Sequence, residues 1–306
     1  EIMPSLVGSE MCIRDRLKLS TIVLLITSFV SCDNDGLKQG DSNYWTTSRG
    51  QFTLTTKDGA TIYFLDNKNG TATVTFDGRY PLHQMDPTSA TVYVNTYTGN
   101  VIIPETADGK EVTAIGNEAF LGCHDLVTLS LPETITEFGE GTFTDCTSLT
   151  QINIPSKITE IPDACFGRCS KLTNLTIPSG VTKLGRAAFY SCSGLTSITL
   201  PDGLEEIGSI AFFFCKGLNK ITIPASVKKI GNLAFGAEGT IYCNISDYYV
   251  LATTPPLLEG NLYSNLAEGV NPIIHVPTGT LAAYQAADGW NCLLYTSDAA
   301  DDKARV

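Results

Sequence analysis

Between Leu126 and Thr240 one 23-residue pattern recurs five times, and no other feature restricts the fold so tightly. Leu126, Leu149, Leu172, Leu195 and Leu218 open the copies, and Pro132, Pro155, Pro178, Pro201 and Pro224 follow six residues later. Phe143, Phe166, Phe189, Phe212 and Phe235 close the apolar set, with Phe120 one period earlier. A fixed period of this length marks a solenoid. No single repeat can bury its apolar face, but stacked repeats share one continuous core.

Each copy divides into pieces by elementary rules. The alternating apolar pair before the proline, such as Ile152 and Ile154 or Ile221 and Ile223, fits a strand with one buried face. Proline ends that strand because it fixes φ and removes a ladder donor. A second short extended piece follows, Val181 to Leu184 in one copy, and then Arg186-Ala187-Ala188-Phe189, which reads as a tight helical turn. Glu160, Lys183, Glu206 and Lys229 alternate in sign at the repeat period, so stacking in register would place opposite charges side by side. That column favours the stack and is not a site.

Ten cysteines suggest a disulfide scaffold until their positions are read. Cys123, Cys146, Cys169, Cys192 and Cys215 recur at the repeat period, so their side chains point the same way and do not face one another. Buried structural thiols are the expectation, for Cys165 as well. No metal or cofactor is expected. His83, His124 and His275 have no zinc-like or triad-like partner set, and no nucleophile elbow, P-loop or dinucleotide fingerprint occurs. The formal charge of −12 disfavours a nucleic-acid partner, which needs a basic face, and helps keep a monomer soluble.

The copies LTNLTIPSGVTKLGRAAFYSCSG and LTSITLPDGLEEIGSIAFFFCKG resemble the BspA-like leucine-rich repeat of bacterial surface proteins. The resemblance runs from about Thr91 to Trp290. YTGNVIIP and VTAIGNEAF are similar to that family's N-terminal cap, and TTPP, IIHVP and LAAYQAADGW to its C-terminal cap. It implies a solenoid with a parallel β-sheet on one face, and short extended segments with single helical turns on the other. Adhesins that bind host matrix proteins belong to the family, as do members with no assigned partner. No catalytic motif of the family exists to carry over, so a non-catalytic protein is expected.

The flanks organise the remainder. Residues 1–16 and 292–306 fit nothing else in the chain and resemble translated sequencing adapter; disordered natural tails are the other reading. Residues 17–32, LKLSTIVLLITSFVSC, resemble a bacterial lipoprotein signal in which Cys32 takes the lipid. Its apolar run is too short to span a bilayer, which needs roughly 20 residues. The alternative is an ordinary cleaved signal with a coincidental Cys32. Asp33, Asn34 and Asp35 resemble the signal that sends some outer-membrane lipoproteins to the outer face. Residues 33–48 read as a polar tether and 49–111 as a β-rich cap, or else a separate domain. Within it Ala60–Leu65 and Thr71–Phe76 flank turn residues as a hairpin would, and Thr91–Val94 with Asn100–Ile103 make a second pair around Gly99. Repeats occupy 112–240, and 241–291 reads as an irregular C-terminal cap.

The strand positions that alternate outward are Thr128 and Ser130, Gln151 and Asn153, Asn174 and Thr176, Ser197 and Thr199, and Lys220 and Thr222. They form a hydroxyl- and amide-rich strip with hardly any charge. One reading is a solvated sheet surface, since Thr suits strands anyway. The other is a binding face for a host or neighbouring-cell protein, or for a glycan. Aromatic side chains for sugar stacking are absent from it; Tyr44, Trp45, Tyr93, Tyr97, Tyr284 and Trp290 in the caps are the candidates. A structural envelope spacer without a ligand is the third possibility.

Overall fold

The chain folds as the repeat demands, in stacked rungs with Leu, Ile and Phe inside. The computed structural model describes residues 51–56, 59–76, 97–237, 243–264, 272–291 and 293–296. Strands β1 (Gln51–Thr55), β2 (Thr61–Asp66) and β3 (Thr71–Thr75) form an antiparallel meander. The expected hairpin is β2 and β3, and its turn holds Lys68 and Gly70 at φ 64° and 88°. β4 (Gly99–Ile102), β5 (Thr106–Ala107) and β6 (Lys110–Ile115) make the first rung. The partner of β4 is β7, in parallel, while Thr91–Val94 lie outside the described residues.

Later rungs each carry a strand before the proline and a two-residue strand after it. These are β7 (Leu126–Ser130) and β8 (Glu137–Phe138), β9 (Gln151–Ile152) and β10 (Glu160–Ile161), then β11 (Asn174–Thr176) and β12 (Lys183–Leu184). Next come β13 (Ser197–Thr199) and β14 (Glu206–Ile207), then β15 (Lys220–Ile223) and β16 (Lys229–Ile230). The chain continues through β17 (Asp247–Val250), β18 (Leu257–Leu258), β19 (Ile273–His275), helix α1 (Leu281–Ala286) and β20 (Leu294–Thr296). The stretch read as an irregular cap therefore holds two further strands of the same face: β17 pairs with β15 and β19 with β17, both parallel. β20, within residues 292–306, pairs with β19.

Three stacks result. The strands before the prolines form one face. Those after them form a second sheet, β10-β12-β14-β16-β18. β3 lies parallel to β6, and β6 to β8, so the meander, β5, β6 and β8 form a sheet of their own. No ladder joins β8 to β10. At the position where Gly139 and Gly185 donate N–H to the preceding rung stands Pro162, which has no N–H to give.

The third stack is made of turns, and here the helical expectation fails. Ala187 has φ 56°, as Ala164 has φ 54° and Ile210 φ 52°, so a left-handed residue interrupts each turn before a helix can start. Tertiary pairing drives this. Ala187, Phe189 and Ser191 donate N–H to Ser209, Ala211 and Phe213 of the next rung, while Ala188, Tyr190 and Cys192 close local turns. The same three bonds link every neighbouring pair of turns from Glu118 to Gly236. The turns thus hold the most regular ladder in the molecule.

Inside, Phe120, Phe143, Phe166, Phe189, Phe212 and Phe235 stack at 5.1–5.6 Å between ring centroids. The thiols of Cys146, Cys169, Cys192 and Cys215 are buried and free, and each donates to the carbonyl of the phenylalanine one rung back at 3.0–3.2 Å. Burial raises their pKa, that of Cys192 to about 12. The alternating charges meet as expected, with Lys183–Glu160 at 2.6 Å and Lys229–Glu206 at 3.1 Å.

Candidate functional site

The strands before the prolines form three parallel ladders, β4-β7-β9, β11-β13 and β15-β17-β19-β20, and the alternation of burial along them turns all ten strip residues away from the core. Nine are exposed and Thr128 is half-buried, while Leu129, Ile152, Leu175 and Ile221 point into the core. Asn100, Thr128 and Gln151 align in one column, with Thr128 Oγ1 donating to Asn100 Oδ1 at 2.8 Å. Asn174 aligns with Ser197, and Thr176 with Thr199. Lys220 and Thr222 align with Asp247 and Tyr249.

Asn153 is the exception in role. Its Oδ1 accepts from Leu131 N–H and its Nδ2 donates to Leu131 O, both at 2.8 Å. The amide completes the pairing of its own rung with the one before, so it is committed to the fold.

The face extends beyond the strip. Asp247, Tyr249 and His275 continue its columns on β17 and β19. Tyr249 and His275 stack at 4.4 Å and 9°, and His275 Nε2 lies 2.8 Å from Asp247 Oδ1. Partial burial raises the Asp247 carboxyl, but hydrogen bonds from Ser246 and His275 outweigh it and hold the group below its ordinary value. His275 therefore has an acidic partner that its position in the sequence did not reveal. The alternation of Asp247-Tyr248-Tyr249-Val250 is the signal that could have found this end of the face.

The cap aromatics are placed differently from the expectation. Tyr97, Tyr284 and Trp290 are core residues with exposures of 1% or less. Tyr97 Oη donates to Thr75 O, Tyr284 Oη to Ala252 O and Trp290 Nε1 to Pro256 O, at 2.7–2.8 Å. Large rings bury their area while their polar atoms find hydrogen-bond partners, which takes them out of any groove. Tyr44, Trp45, Tyr93 and the lipidation candidate Cys32 lie outside the described residues.

Among the described residues no group of three or more His, Cys, Asp or Glu side chains is placed to hold a metal. Nor is any helix there long and apolar enough to cross a membrane.

A family model for the BspA type leucine rich repeat region matches residues 92–245 with six copies. The chain belongs to the BspA-type leucine-rich repeat family. Among solved structures it is similar to a leucine-rich repeat protein of T. pallidum, at 22% identity and TM-score 0.49, over 85% of this chain and 94% of that one. A Bacteroides ovatus leucine-rich repeat protein matches at 20% identity and TM-score 0.40, over 77% and 74% of the two chains. A leucine rich cell surface protein of Faecalibacterium prausnitzii matches at 18% and 0.38, over 74% and 83%. No curated protein matches the sequence.

Proposed function

We propose that this chain is a non-catalytic, adhesion-type cell-surface protein that recognises a protein partner on its strand face. The supporting observation is the strip itself. Exposed Ser, Thr, Asn and Gln side chains continue from rung to rung, with one exposed apolar residue, Ile102, in the Ser130 column on β4 and the Lys–Glu pairs on the second sheet. Neutral hydroxyls and amides adapt to a polypeptide surface at low desolvation cost. Membership of a family of bacterial surface repeats supports a position outside the cell. Cys32 would supply the lipid anchor to the outer membrane, with residues 33–48 as tether.

Capture on immobilised matrix proteins tests the reading. Asn174→Trp with Ser197→Trp should abolish capture, and capture unchanged by that pair would remove the strand face from consideration. A glycan is the second reading, favoured by the Tyr249–His275 stack at the C-terminal end of the face. It predicts instead that Tyr249→Ala abolishes binding to an oligosaccharide array. The anchor is tested separately: Cys32→Ser should move the protein out of the membrane fraction, and unchanged fractionation would refute lipidation.

A further inference from the structure

The outward positions of β15, β17 and β19 form two columns in one parallel ladder. One runs Lys220, Asp247, Ile273 and the other Thr222, Tyr249, His275. Lys220 and Thr222 are exposed and the other four are half-buried, while Ile221, Ile223, Tyr248, Val250 and Ile274 face the core.

The second column changes height. Tyr249 and His275 stack from one rung to the next at 4.4 Å between centroids and 9° between planes, so both rings lie across the column. The other face of Tyr249 is therefore turned toward the Thr222 rung. A threonine side chain ends well short of a tyrosine ring, so the outer part of the ring makes a wall above a foot that carries a hydroxyl and a methyl group.

Beside this step, Lys220 and Asp247 are neighbours in register and opposite in charge. The carboxylate bonds to His275 Nε2 and Ser246 Oγ, at 2.8 and 2.6 Å, and the lysine is exposed. Each carboxylate oxygen keeps a lone pair for a further donor. The strip from Thr128 to Thr199 carries no charge and no ring, so a ring, a cation and a carboxylate first come together here.

Each feature narrows the ligand. The face of an aromatic ring suits C–H groups or a cation. Lys220 repels a cation and Asp247 an anion, so the adjacent pair favours neither. A neutral ring with neighbouring hydroxyls is served by both, because a hydroxyl donates to a carboxylate and accepts from an ammonium. A pyranose combines such hydroxyls with an apolar C–H face. A peptide ring such as proline would stack on Tyr249 but leave the charged pair unused.

We infer that the step between Thr222 and Tyr249 binds a neutral hexose unit of a glycan, its C–H face on the Tyr249 ring and its hydroxyls on Lys220 and Asp247. The inference rests on the glycan reading and gives it a place and a class of sugar.

The test titrates the full chain with pentasaccharides of glucose, mannose and galactose, and with pentamers of galacturonate and glucosamine as charged counterparts. At least one neutral pentasaccharide should bind at millimolar concentration, more tightly than either charged pentamer. Tyr249→Ala removes the wall and Thr222→Trp fills the foot, so each should abolish binding, whereas Tyr249→Phe keeps the ring face and should not. Lys220→Met should weaken binding roughly tenfold, the scale of one hydrogen bond to a charged group. Asn174→Trp with Ser197→Trp, further along the face, should leave it unchanged. Thr222 and Lys220 are exposed, and an unchanged urea midpoint shows that each variant folds. A preference for a charged pentamer, or binding that Tyr249→Ala abolishes and Thr222→Trp leaves intact, would overturn the inference while the glycan reading stands. Binding that survives Tyr249→Ala, or no binding of any pentasaccharide, would overturn both. Loss of matrix-protein capture in Tyr249→Ala without any saccharide binding would assign the step to the protein-binding face instead.

Discussion

The phenylalanine column should behave as a chain of nearest neighbours, and Phe189 is the place to measure it. The ring is fully buried between Phe166, at 5.4 Å and 3°, and Phe212, at 5.2 Å and 6°. Replacing it with leucine keeps most of the volume and the apolar character but removes both stacks. Each stack contributes about 0.5–1.5 kcal/mol beyond area burial, so Phe189→Leu should cost about 1–3 kcal/mol. Phe212→Leu should cost about the same, since Phe212 also stacks on Phe235 at 5.4 Å. The double variant loses the shared stack only once, so its cost should fall short of the sum by about 0.5–1.5 kcal/mol. Urea unfolding followed by two probes, at constant m-value, measures all three. Strict additivity would refute the argument, because the rings would then be filling space without coupling the rungs.

Other expectations follow from the same geometry. Ala187→Gly should be neutral or stabilising in urea unfolding, because φ 56° costs about 1–2 kcal/mol for a residue with a Cβ. A helical turn would instead lose about 1 kcal/mol on that change. Burial and the neighbouring Glu140 raise Glu118 from 4.5 to about 7. The folded state therefore holds the proton more tightly, and its stability falls as pH rises between those values. Glu118→Gln should stabilise the protein at pH 8, with the gain shrinking towards pH 4, as urea midpoints across pH would show. The ladder thiols should resist an aromatic disulfide reagent at pH 8 in the native state and react on unfolding. Prompt native labelling of Cys192 would contradict its burial.

What the chain announces, and what it hides, divides by the range of the interaction. Leu, Pro, Phe and Cys recur because every rung repeats one local environment, so the strands, the core and the outward strip were legible from residue type and period. The turn was not. Ala187 and Ala188 are good helix formers, and only the bonds from Ala187, Phe189 and Ser191 to the next rung explain the left-handed backbone. Asn153 shows the same limit. As an outward strand residue it looked free, but its amide is taken by Leu131, 22 positions away. Tyr249 and His275 were missed because phase is lost: β17 follows β15 by 27 residues and β19 follows β17 by 26, so a 23-residue reading loses both strands. The β8/β10 break could have been found, since Pro162 is the one proline in a column of glycines. The cap aromatics could not, because nothing in a sequence separates a buried Trp290 from an exposed one.

The central claim is that recognition belongs to the strand face. Its most direct test is an array bearing both matrix proteins and glycans, probed with three full-length forms: the wild type, the Asn174→Trp/Ser197→Trp pair, and Lys183→Glu on the second sheet. Retention is expected on a protein spot that the strand-face pair abolishes and the Lys183 change leaves intact. Retention that survives the strand-face pair, or that is lost only with Lys183→Glu, would contradict the claim.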